Sequence, residues 1–177
     1  EEWVQFAVVE ALAKIKDPSA ANGLVKLLPQ ASPLVCSAII DALGDMGDVK
    51  AIPLLFSSLE NVRVPLRHKI VKAIVQILSV RSLSLLAAKS QERLRDYLLE
   101  ALTDNDEDIL LAALQGLSAI GNEDATEAII NLAVGLDVER QSELYEAAIH
   151  AIASLGYNSM LRNALRSDRS EERRVGK

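Results

Sequence analysis

The sequence predicts an all-α fold, a right-handed α-solenoid built from about five helix pairs. Three observations carry that prediction: a composition of helix formers, a short motif that returns at a fixed spacing, and apolar columns of helical period around each copy. Of the 177 residues, 50% are apolar and 3% aromatic; Leu and Ala supply 28 and 24 of them, against 8 Gly and 5 Pro. Such a chain has ample core material for one domain, and its composition argues against disorder and against an all-β fold.

The first helices come from the motif. Glu10-Ala-Leu12 returns as Asp41-Ala-Leu43 and Lys72-Ala-Ile74, each 31 residues on, then as Gln115-Gly-Leu117 after 43 and His150-Ala-Ile152 after 35. Around it, Val8, Ile39, Ile70, Ala113 and Ala148 share a column. Val9, Ile40, Val71, Leu114 and Ile149 form the next, and Ile15, Met46, Ile77, Ile120 and Leu155 a third. Apolar positions at i, i+1, i+4 and i+7 describe one broad helical stripe, not the alternation of a strand.

The turns and second helices follow in order. Gly47, Gly121 and Gly156 fall just past the first-helix ends, where a left-handed residue closes the last turn. Asp17, Asp48 and Asn122 come next as capping residues, and Pro18 suits a first helical turn. The second helices read Ala20–Leu28, Ala51–Leu59 and Ala125–Ala133, with Leu24, Leu55 and Ile129 in one column, and Ser32-Pro33 starts the next first helix. In the third repeat, a strict period puts Leu86 in the Leu24 column; absorbing the 12 extra residues first puts Leu98 there. The second placement is favoured, since Gln91–Leu102 is long and amphipathic and Asp104-Asn-Asp106 makes a capping link. Arg81–Ser90 then becomes an inserted turn or short helix.

The expected organisation is a single repeat domain over residues 1–168, with repeats at about 3–33, 34–63, 64–107, 108–141 and 142–168. Helix pairs bury their apolar faces on their neighbours, so an open repeat at either end should expose apolar surface, with Trp3, Phe6 and Met160–Leu165 the candidates. Residues 169–177, Arg-Ser-Glu-Glu-Arg-Arg-Val-Gly-Lys, resemble the translation of a sequencing-library adapter and read as a non-native tail. With the absence of an initiator Met, they point to a piece of a longer reading frame.

No catalytic constellation emerges. His68 and His150 lie in different repeats without a second histidine at i+3 or i+4, so no cofactor or metal site is expected. Cys36, the lone cysteine, excludes an internal disulfide and suits a reducing, cytoplasmic setting; at a helix start its thiol could be activated, but no base stands near it in sequence. Asp104–Asp108 lacks the spacing and glycine of a calcium loop. No apolar run is long enough for a membrane span, and Glu1-Glu2 opens no signal peptide. A net charge of -6, without aromatics among the basic residues, argues against nucleic acid as partner.

Charge distribution is the one uneven feature. Residues 61–95 carry eight basic groups (Arg63, Arg67, Lys69, Lys72, Arg81, Lys89, Arg93 and Arg95) against Glu92, whereas residues 96–146 carry 13 acidic groups against Arg140. The basic zone could steer an acidic protein, with Arg63, Arg67, Lys69, Lys72, Arg93 and Arg95 as the candidate contacts. The plain alternative is that these are the polar outer faces every amphipathic helix presents.

Two stretches carry a resemblance: Ala-Leu-Gly44-Asp-Met-Gly-Asp48-Val-Lys-Ala-Ile52-Pro-Leu-Leu55, and Glu10-Ala-Leu-Ala-Lys-Ile-Lys-Asp17-Pro-Ser-Ala. They resemble the short bacterial HEAT-like repeats, of the armadillo-like helical kind, also found in phycobilisome lyase subunits; the resemblance spans roughly residues 3–166. Of the pairs equivalent to the family's Val-Arg helix start, only Leu66-Arg67 keeps the basic residue, so an Arg–Asp ladder along the axis is not expected. The resemblance implies a non-enzymatic scaffold binding a protein or a neighbouring domain of its parent chain, commonly within larger bacterial signalling or regulatory proteins. The alternative it allows is a lyase-like or chaperone-like subunit handling a chromophore protein.

Overall fold

The computed structural model describes residues 1–16, 18–60 and 62–156, all as helices and short connections, with no strand among them. The first helices are α1 (Glu2–Ile15), α3 (Pro33–Met46), α5 (Val64–Ile77) and α8 (Glu107–Ile120), each 14 residues long. A fifth, α10, runs over residues 142–156. The second helices are α2 (Ala21–Leu27), α4 (Ile52–Ser58), α7 (Ala88–Ala101) and α9 (Glu123–Gly135), and a short α6 (Val80–Ser84) occupies the insertion. The adapter-like tail and Met160–Leu165 lie outside the described residues.

The helices start where their caps allow. The Ser32 hydroxyl accepts from the Val35 amide with Pro33 following, the Asp106 carboxylate accepts from Asp108 and Ile109, and Asn122 accepts from Ala125. Each side chain satisfies an amide left unpaired in the first turn. The ends are less uniform than the glycine column suggests. Gly47 is left-handed at φ 65, but in the first repeat Lys16 takes that conformation at φ 54. Gly121 has φ -67 instead: its glycine serves close packing, since a Cβ there would sit 2.5 Å from the Leu117 carbonyl oxygen and 2.8 Å from a Leu155 methyl of α10. Gly156 is still helical.

The first helices pack in sequence, α1 on α3, α3 on α5 and α5 on α8, while α6 and α7 pack against α8. Ile39, Leu43, Leu55, Ile70, Ile74, Leu98, Leu114 and Leu117 are fully buried in the continuous core that results. Each pair thus completes its core on the next, as an α-solenoid requires. Leu98, not the half-buried Leu86, fills the third-repeat core position. Among the described residues no helix is long and apolar enough to cross a membrane.

Candidate interaction surfaces

Five of the six basic residues singled out above turn inward across repeat boundaries. Arg67 enters α5 one turn past its start and points back and forward at once. Its Nε donates to the Leu59 carbonyl at 3.1 Å and its Nη1 to both Glu100 oxygens at 2.9 Å, with the guanidinium 5.5 Å from the Tyr97 ring centroid. Lys69 reaches Asp41 of α3 at 2.8 Å, and Lys72 reaches Asp108 of α8 at 2.9 Å. Arg93 meets Glu60 at 2.7 Å, and Arg95 donates to the Ile120 carbonyl at 2.7 Å. Arg63, just ahead of α5, is exposed.

The basic and acidic stretches that look separate along the chain therefore interlock in space. Glu100 and Asp108, from the acidic stretch, neutralise Arg67 and Lys72 at short range, which weakens the field an acidic partner would meet. The exposed acidic surface that remains includes Glu123, Glu127, Glu139, Glu143 and Glu146.

The remaining titratable candidates are structural. His68 is buried, its Nδ1 2.6 Å from Asp104 Oδ2, while its Nε2 is buried without a hydrogen-bond partner. Desolvation pushes the Asp104 carboxyl up, but the Asp106 and Asn105 amides and His68 outweigh it, so its pKa lies below the ordinary carboxylate value. The Cys36 thiol lies against the Leu28 and Ala31 carbonyls at 3.3 and 3.4 Å, and burial raises its pKa. Activation by the helix start does not win there. Among the described residues no group of carboxylates, histidines and cysteine is arranged to hold a metal.

What sequence reasoning missed is a cleft of about 370 Å³ between α1 and α3. Phe6, Ala13, Leu34, Ala38 and Ala42 give it apolar walls; Glu10, Asp41 and Asp45 line it with carboxylates, and Lys14 and Lys16 with ammonium groups. Its apolar lining is partly small, with Ala13 on α1 and Ala38 and Ala42 on α3. The open end is where it was expected, with Trp3 72% exposed, while Phe6 is half-buried and edge-on to it at 6.1 Å between ring centroids.

Residues 1–75 match the family model for HEAT repeats. No curated protein matches the chain. The matched stretch holds the first two helix pairs and most of α5, and the same columns continue through α8 and α10. Over residues 1–75 the helix pairs of this chain are HEAT-like repeats.

Proposed function

We propose that the chain is a non-catalytic scaffold that binds another protein, or a neighbouring domain of its parent polypeptide, within a larger bacterial signalling or regulatory protein. HEAT repeats commonly mediate protein–protein contacts, and the observation that carries the reading here is the α1–α3 cleft. It offers apolar walls for one or two side chains and carboxylates for a basic flank, the chemistry of an amphipathic peptide or helix. The basic residues of the third repeat support this assignment by being engaged internally; of the six, Arg63 is the exposed one left to add to a docking surface.

Proximity labelling in the source cells, followed by titration of each enriched purified protein, tests this. Ala38→Trp, which fills the cleft, should weaken binding at least about tenfold, while Arg63→Glu changes it less than about threefold. Equal affinity for wild type and Ala38→Trp would remove the cleft from the reading, and a titration in which no enriched protein binds would remove the scaffold itself.

A further inference from the structure

The α1–α3 cleft and the α3–α5 joint are the same contact one repeat apart. α1 and α3 run side by side from their starts, where the Ser32 hydroxyl donates to the Glu2 carboxylate. Carried on by 31 residues, the cleft residues Glu10, Ala38 and Asp45 become Asp41, Lys69 and Gln76. In the α3–α5 joint those positions are filled. Lys69 crosses it to place its ammonium 2.8 Å from Asp41, and the Gln76 amide oxygen stands in the space a Cβ on Gly44 would take.

Between α1 and α3 those long side chains are missing. Ala38 stands where Lys69 would, so no cation among the described residues pairs with Glu10, and the space remains as the cleft. The opening thus follows from side-chain length at positions 38 and 45, on two helices that face each other directly. Along the cleft, Phe6 and Leu34 come first, the Glu10 and Asp41 carboxylates about one turn on, and Lys14 and Lys16 with Asp45 beyond them. Asp41 already holds Lys69 on its far side, which leaves Glu10 as the carboxylate open to a ligand.

We propose that the cleft takes a helical segment of another protein that carries a lysine or arginine one turn from an apolar side chain. The base lies on Glu10 as Lys69 lies on Asp41, and the apolar residue fills the space between Phe6 and Leu34. This rests on the cleft reading above and adds Glu10 as the residue that selects the ligand. The same groove one repeat on holds that pairing within the chain, which makes Lys69 a template for the ligand. The spacing follows from Phe6 and Glu10, four apart on one face of α1. A carboxylate in place of the base would meet Glu10 and Asp41 together and be rejected.

Anisotropy titrations of the full chain into a labelled helical peptide of about 15 residues, with Leu and Lys four apart in an Ala and Gln background, test this. Its Lys→Gln analogue should bind about three- to fivefold more weakly, and its Lys→Glu analogue should not saturate. Glu10→Gln, at an exposed position, should cost the Lys peptide the same factor and leave the Gln analogue unchanged, the signature of a direct pair. Ala38→Lys, which supplies the base from within, should weaken the Lys peptide at least about tenfold. Equal effects of Glu10→Gln on both peptides overturn the pairing and leave the cleft in place, whereas binding that Ala38→Trp leaves unchanged removes the cleft reading itself. A Lys peptide that fails to saturate at about 1 mM, as it would where a second copy or another segment of the parent chain fills the cleft, also overturns the proposal.

Discussion

α1 and α5 are both 14-residue first helices built on the same apolar columns, yet they live in different surroundings. α5 lies between α3 and α8, and its Ile70, Ala73 and Ile74 are buried. α1 has α3 on one side only, so Val8 and Ile15, apolar members of the same columns, face water. The fate of a column residue is set by the repeat that precedes or follows it, not by its own hydrophobicity. Charge follows the same logic: α5 sends Lys69 to Asp41 of α3, Lys72 to Asp108 of α8 and Arg67 to Glu100 of α7, whereas α1 meets the start of α3 through a hydrogen bond from the Ser32 hydroxyl to Glu2.

The largest effect should separate the two regions directly. Leu117→Ala, in the fully buried core of α8, should cost about 2–5 kcal/mol by lost burial and the cavity left behind. Val8→Ala on α1 should stay within about 0.5 kcal/mol, because its methyls already contact water. Urea titrations at low protein concentration, where no self-association contributes, check both. A large cost at Val8 would mean that its face is covered and would erase the difference between the two helices.

Next comes Arg67, three-quarters buried at the joint of repeats two and three. Arg67→Ala leaves the Leu59 carbonyl and the Glu100 carboxylate without their donor, and about 1–3 kcal/mol should be lost. Arg67→Lys should recover little of it, since a single ammonium cannot reproduce the fork that serves both acceptors. Full recovery by Lys would show that the site needs charge alone, not geometry.

The helices were legible because a period of 31 residues with fixed apolar columns leaves little freedom: α3 and α5 begin 31 residues apart, and Leu98 sits in the core although the insertion moves it. The basic candidates were legible as residues but not as roles. Whether Lys72 points to solvent or to Asp108 depends on how far α8 lies from α5, which no local pattern specifies. Gly121 misled for a related reason, because a glycine past a helix end serves either a left-handed turn or close neighbours, here the Leu117 carbonyl and the Leu155 side chain. The cleft escaped notice because it belongs to two helices and to neither sequence.

The His68–Asp104 pair refines the picture of α5 as the anchored helix. Asp104→Ala should cost about 1–2 kcal/mol, since His68 Nδ1 then joins Nε2 as a buried atom without a partner. Asp104 has a pKa below its ordinary value when folded, so it stabilises the fold at pH above about 4 and that contribution fades as pH falls further. The gap between wild type and Asp104→Asn in urea titrations should therefore narrow as pH falls below about 4. A gap that widened there would reverse the sign assigned to the pair.

Arg93 and Glu60 set the lower limit of the comparison. Their side chains are 39% and 63% exposed, so water and salt screen the pair, and holding two long side chains together costs rotamer freedom. Arg93→Ala should change stability by less than about 0.5 kcal/mol, and the remainder should vanish in about 0.5 M salt. Arg67 and Arg93 bridge the same two repeats, so their ratio isolates burial from charge. If Arg93→Ala costs as much as Arg67→Ala, then ion pairs themselves lock the third repeat in place, and α1 differs from α5 by lacking charges as much as by lacking a neighbour.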